Sequence, residues 1–297
     1  VKYFVAAGED RKLDESARRG LRGSYVQLSD GVTHYELTGP EGGDVVVLAG
    51  GLTIPLFYWD ELAGQLHARG LQTLSYSGYG RGYSDRAVAR YDEELFVRQL
   101  RELIENLGLP RPHHLVGTSM GALIAMAYVS QHADSTATLT LIGPAGLSTQ
   151  PVIQKLLLGN DIAASAIAKY FGRRILERHL GHNVSDPSRA AALAAMVGDA
   201  SRYEGSIYTF FETLQHFPLF DRADIYRHVG TLAVPKQLIW GSDDQITPVS
   251  SLDQVLELLQ PSRCHVINDC GHMAPFERPV VVADQLAAFY DTFRRSA

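Results

Sequence analysis

The chain has 297 residues, 45% of them apolar and 20% charged, with 27 basic against 33 acidic side chains for a net charge of −6. That composition is ordinary for a globular chain and excludes a disordered, collagen-like or coiled-coil one. Mild acidity without a run of like charges also argues against nucleic acid as a partner, since phosphate binding needs a basic patch. Cys264 and Cys270 would close only a small loop, so both are expected as free thiols in a reducing, cytoplasmic setting. Residues 1–23, with Glu9, Asp10, Arg11, Lys12, Asp14 and Glu15, admit no apolar signal-peptide core and read as a polar N-terminal extension. No apolar run reaches the roughly 18 residues of a membrane span.

Tyr25–Leu28 and Thr33–Leu37 flank Ser29-Asp30-Gly31 and read as an opening hairpin. Residues 44–48 (DVVVL) are nearly continuously apolar, as a strand buried on both faces requires. Helical periodicity follows over 59–69, then a strand over 72–75, a helix over 92–107, a strand over 114–117 and a helix over 120–131. A sixth strand is expected over 138–142. From about Leu147 to Gly230 no strand pattern appears; helical patterns over 162–180 and 188–197 lead into an aromatic stretch from Tyr203 to Phe220. Eighty or so residues exceed what a crossover needs, so 147–230 reads as an inserted helical subdomain. Strands over 236–240 and 264–267 and helices over 248–259 and 280–293 complete the chain. The expected architecture is α/β: an eight-stranded, mostly parallel sheet flanked by helices, built from 24–146 and 231–297.

Gly117-Thr118-Ser119-Met120-Gly121 follows the fifth strand and opens a helix. In that setting G-x-S-x-G is a sharp turn that projects Ser119 beside the N–H groups and positive dipole end of a helix, where an oxyanion would develop. A serine nucleophile needs a base and the base an orienting acid. His272 lies on the loop after the last strand, in Asp269-Cys270-Gly271-His272, whereas most of the other ten histidines fall in or beside predicted strands and helices. His179 and His182, three apart, read as surface residues, because no third metal ligand accompanies them. The acid should follow a strand between Ser119 and His272; Trp240-Gly241-Ser242-Asp243-Asp244 supplies two carboxylates, of which Asp244 is preferred and Asp243 held in reserve.

The order Ser119, Asp244, His272, with GTSMG at 117–121, GYGRGYSDR at 78–86, WGSDDQITP at 240–248 and GHMAPFERP at 271–279, resembles the α/β-hydrolase superfamily, in particular its cap-bearing serine hydrolases. The resemblance implies that Ser119 is the nucleophile, His272 the base and then acid, and Asp244 its orienter. It implies oxyanion donors at the backbone N–H of Met120 and of Gly51, or alternatively Leu52. A Ser nucleophile argues against the haloalkane dehalogenases and related epoxide hydrolases, whose chemistry needs a carboxylate. Two positions depart from the family pattern: Ala49 stands where His commonly precedes Gly, and Ser77 where Asp is frequent.

Phe57 and Trp59 follow the oxyanion loop; with Tyr208 and Phe211 of the insertion and Met273 they are candidates to line a pocket. The resulting expectation is a serine hydrolase without cofactor or metal, cleaving a small apolar or aromatic ester, lactone or related acyl compound through an acyl-enzyme. Carbon–carbon bond hydrolysis or a lyase step on the same triad is the alternative. A ligand receptor or a cofactor-free oxygenase ranks below both.

Overall fold

A computed structural model of the chain describes residues 2–180 and 184–293. β1 (Ser24–Leu28) and β2 (Gly31–Thr38) form the expected hairpin, with Leu28 opposite Gly31. They are followed by β3 (Val45–Ala49), β4 (Gln72–Tyr76), β5 (His113–Thr118), β6 (Thr136–Ile142), β7 (Lys236–Gly241) and β8 (Arg263–Ile267). The eight strands lie in one sheet in the order β1-β2-β4-β3-β5-β6-β7-β8. β2 runs antiparallel to both β1 and β4, and every other pairing is parallel. β3, β5 and β7 are buried along their whole length, as central strands covered on both faces are, although only β3 is apolar throughout.

The helices, in chain order, are α1 (Glu15–Arg18), α2 (Asp60–His67), α3 (Glu93–Asn106) and α4 (Met120–His132), then α5 (Val152–Leu158), α6 (Asp161–Leu180), α7 (Pro187–Ala200), α8 (Ser206–His216) and α9 (Ala223–Gly230). α10 (Leu252–Leu259), α11 (Ala274–Glu277) and α12 (Pro279–Phe293) close the chain. The helix expected from Trp59 begins one residue later, behind a 3₁₀ turn over Leu56–Trp59. Asp92 caps α3 by accepting from Leu95 N at 3.1 Å. α4 is apolar around its whole circumference and buried from Met120 to Val129, which makes it the central helix of one layer, packed against α3 and α9. α2 and α12 pack together on the sheet.

Five helices, α5 to α9, lie between β6 and β7. At the base of this segment the outgoing and returning chains bond to each other, Arg222 N to Gly146 O at 2.7 Å and Asp221 N to Ser148 O at 3.1 Å. α9, which the sequence groups with the insertion, packs instead on α4 and α10 of the core, because Ile225, Tyr226 and Val229 form its buried face.

Residues 2–13 are mostly exposed, yet they are tied to the helical insertion. Glu9 is buried: its carboxylate accepts from Ala6 N at 2.7 Å, Gly205 N at 3.0 Å and Ile207 N at 2.6 Å, capping the N-terminus of α8. Gly205 has no side chain to do so itself. Arg11 exchanges backbone bonds with the 202–204 segment, and ion pairs join Asp10 to Arg202 and Arg11 to Asp199.

Candidate active site

Parallel strands all deliver their C-terminal ends to one edge of the sheet, so the loops after β3, β5, β6, β7 and β8 converge there. Ser119 occupies the turn from β5 into α4 with φ 53° and ψ −120°, a conformation costing on the order of 1–3 kcal/mol. It persists because its surroundings leave no alternative. Ser119 N donates to Ile142 O at 3.1 Å, and Ser119 O accepts from Ala122 N and Ala145 N. Gly121 lies so close to β3 that a Cβ there would overlap the carbonyls of Ala49 and Gly50. Glycine two places after the serine is therefore a steric requirement.

His272 and Asp244 meet 2.8 Å apart, Nδ1 to Oδ2, with both side chains almost wholly buried. A carboxylate only accepts, so Nδ1 carries the proton and Nε2 presents a lone pair. Asp244 is fixed by further donors: Ile246 N at 2.9 Å and Thr247 N at 2.8 Å on Oδ1, and the Thr247 hydroxyl 2.8 Å from Oδ2. Thr247 Oγ also stands 3.1 Å from Gly143 O, so its single proton serves one acceptor at a time. Asp243 faces solvent and accepts from Ser242 Oγ instead. The two loops abut at Gly241, where a Cβ would overlap the carbonyls of Cys270 and Gly271. Glu277, buried in α11, holds the His272 loop from behind: Oε1 accepts from Gly271 N and Oε2 from Ser185 N of the insertion, both at 2.9 Å.

Gly51 lies beside the serine; a Cβ on it would sit 3.3 Å from Ser119 Cβ. Leu52 turns its carbonyl onto Arg81 Nε at 2.7 Å. Met120 contributes the first free N–H of α4. Ala49 and Ser77 have structural explanations. Ala49 is fully buried at the end of β3, against Gly121. Ser77 is fully buried, with its Oγ accepting from Leu56 N at 3.0 Å and lying 3.2 Å from His34 Nδ1. His34 Nε2 stands 2.9 Å from Arg22 O and must donate to it, so Nδ1 accepts the Ser77 proton. Burial pushes His34 down to about 3, so the ring is neutral.

The other predicted pocket residues are distributed among packing roles. Phe57 contacts His34 and Tyr83, Trp59 stands edge-on to Tyr58, and Tyr208 packs on Tyr3, Phe4 and Tyr91. Phe211 abuts Phe210, and Met273 is buried at the start of α11. Two cavities border the loop after β3, of about 30 and 10 Å³, and none of these five lines either; Phe210 lines the larger. His179 lies near Phe210, and His182 is outside the described residues. Thr247, Arg81 and Glu277 are the polar residues that pattern reading passed over, although each falls within a quoted motif block.

The family model for the α/β hydrolase fold matches residues 44–279. This chain belongs to the α/β hydrolase fold family. It is 27% identical over 207 residues to a monoacylglycerol lipase of Xenopus laevis, an alignment covering 67% of this chain and 60% of that protein. The chain thus spans about three-fifths of the lipases it matches. With a 2-hydroxy-6-oxo-6-phenylhexa-2,4-dienoate hydrolase of Comamonas testosteroni it shares 25% identity over 86% of this chain and 90% of the other. Among solved hydrolase structures, a thermophilic esterase from Thermogutta terrifontis superposes with a TM-score of 0.78 at 20% identity, over 91% of this chain and 99% of the esterase. An enol-lactonase from Burkholderia xenovorans LB400 gives 0.74 at 19%, over 90% of this chain and all of the lactonase. Among the described residues no helix is long and apolar enough to cross a membrane.

Proposed function

We propose that this α/β hydrolase cleaves a carboxylic ester or lactone of a small apolar or aromatic acyl group, with Ser119 as nucleophile, His272 as general base and then acid, and Asp244 as its orienter. The observation that carries the reading is the buried His272–Asp244 pair at 2.8 Å, on loops that the fold brings to the edge bearing Ser119. With Nδ1–H committed to Asp244, Nε2 accepts the Ser119 proton as Oγ attacks the carbonyl. The N–H groups of Met120 and Gly51 then hold the oxyanion of the tetrahedral intermediate. His272 returns the proton to the leaving alkoxide. Water repeats the sequence on the acyl-enzyme and releases the acid.

The test is a panel of p-nitrophenyl esters of graded acyl length, alongside a fluorophosphonate probe. Wild type should turn over a short or aromatic ester and be labelled at one site, and Ser119→Ala should lose both activities. Turnover that survives Ser119→Ala overturns the assignment.

A second reading, hydrolysis of a carbon–carbon bond in a diketone-like substrate on the same triad, is supported by the near full-length similarity to the dienoate hydrolase. Strong fluorophosphonate labelling without turnover of any ester would favour it.

A further inference from the structure

Arg81 is a buried cation with no carboxylate hydrogen-bonded to it among the described residues, next to the oxyanion loop, and the triad leaves it without a role. Its guanidinium donates in three directions: Nε to Leu52 O at 2.7 Å, Nη1 to Tyr79 O at 2.6 Å and Nη2 to Thr213 Oγ at 2.9 Å. The ring of Phe96 lies 5.2 Å from its central carbon. Burying an unpaired cation is unfavourable, and here desolvation lowers Arg81 to about 10, which leaves it charged at neutral pH. Its three acceptors belong to three different parts of the molecule. Tyr79 is in the arginine's own turn, Leu52 is in the loop beside Ser119, and Thr213 is on α8 of the helical insertion, 132 residues away. The Thr213 hydroxyl donates its proton to Thr209 O at 2.8 Å, so toward Arg81 it can only accept. Both small cavities bordering the loop are lined by Arg81, and the larger is also lined by Leu52 and by Leu176 and Phe210 of the insertion.

We infer that Arg81 is a positioning residue through which the seating of α8 sets the geometry of the loop that carries the oxyanion donor at Gly51. A planar guanidinium with fixed donor directions suits this, because moving one acceptor rotates the fork and displaces the others. The Leu52 carbonyl is held at one end of that fork and Thr213 at the other. The donor loop is therefore in register for the tetrahedral intermediate when the insertion is docked, and hydrolysis is tied to its closure over the substrate. Ground-state binding does not use these donors in the same way, so the link acts on turnover.

This rests on the serine-hydrolase reading, and the experiment separates the two. Thr213→Val keeps shape and cuts the insertion end of the link, along with the hydroxyl's bond to Thr209 O inside α8; it should lower kcat about 3- to 10-fold with KM changed less than twofold. Thr213→Ser restores the hydroxyl and should recover wild-type kcat. Arg81→Met, which frees the loop, should lower kcat by on the order of 10²-fold, near the loss of one oxyanion donor. Affinity for a boronic acid that mimics the tetrahedral adduct should fall by the same factors in each variant. Folded Thr213→Val with wild-type kcat and boronate affinity overturns the inference, as does a loss confined to KM or unrescued by Ser. Should Arg81→Met not fold, the Val and Ser pair decides. Wild type that neither cleaves esters nor reacts with the fluorophosphonate overturns the underlying reading, and this inference with it.

Discussion

Replacing Glu9 by Ala tests whether the N-terminal segment is part of the folded unit. The carboxylate accepts three backbone N–H groups, two of them from the first turn of α8, which lies 198 residues away at Ile207. Hydrogen bonds to a charged group contribute about 1.5–3 kcal/mol each, and a carboxylate at a helix N-terminus adds about 0.3–1 kcal/mol. Bonds sharing one carboxylate are not independent, and water reaches part of the vacated site. A net loss of about 3 kcal/mol is therefore expected. For a chain of this size that corresponds to a melting temperature lower by on the order of 8 °C. Glu9→Gln is the sharper variant. Its remaining oxygen can serve Ala6 and Gly205, but its NH₂ then faces Ile207 N, donor against donor, so about half the loss should remain. Thermal unfolding followed by circular dichroism measures both, and limited proteolysis should cut residues 2–13 of Glu9→Ala first. Melting within about 2 °C of wild type, with proteolysis unchanged, refutes the capping argument.

Asp244→Asn should keep the fold, because its oxygen can still accept from Ile246 and Thr247 while its NH₂ faces His272. That forces the proton onto Nε2 and removes the base, so ester kcat should fall by roughly 10³–10⁴ with unchanged melting. Stability should also depend on acid in a defined window. His34, held near 3 when folded, takes up a proton on unfolding between about pH 3 and 6.5, so its contribution is complete above 6.5 and is lost as pH falls toward 3. At pH 4.5 the two-unit gap corresponds to about 3 kcal/mol, which urea unfolding of wild type at pH 7.5 and 4.5 should register. His34→Gln should flatten that difference. An equal pH dependence in both proteins would remove His34 as its source.

Local chemistry explains which features were readable in advance. The eight strands, the serine turn and the Asp244–His272 order all follow from short patterns: short apolar runs bounded by turn residues, a glycine-flanked serine, a carboxylate and a histidine after successive strands. Arg81 and Glu277 sat within recognisable motifs, yet their partners, Thr213 and Ser185, lie in the insertion, where no pattern signals a contact. Glu9 looked like solvated charge for the same reason. Its acceptor role depends on Gly205 being a helix start without a side chain of its own. The aromatics resisted assignment because a ring packed on its neighbours and a ring lining a pocket have the same sequence signature. Tyr208 and Phe211 illustrate this; Phe210, between them, is the one that lines the cavity beside Leu52.

The pairing of Gly146 with Arg222 and of Ser148 with Asp221 gives the molecule a waist. Two points already in hydrogen-bond contact can be joined by a short peptide or a long one with little effect on the sheet, since closure entropy grows only slowly with length. Residues 149–220 are thus a replaceable module on a fixed socket. A graft from another hydrolase should fit the waist without strain. To keep the contacts seen here it would have to bring an acceptor to Arg81 and an N–H to Glu277, so the pegs, more than the socket, decide which modules are interchangeable.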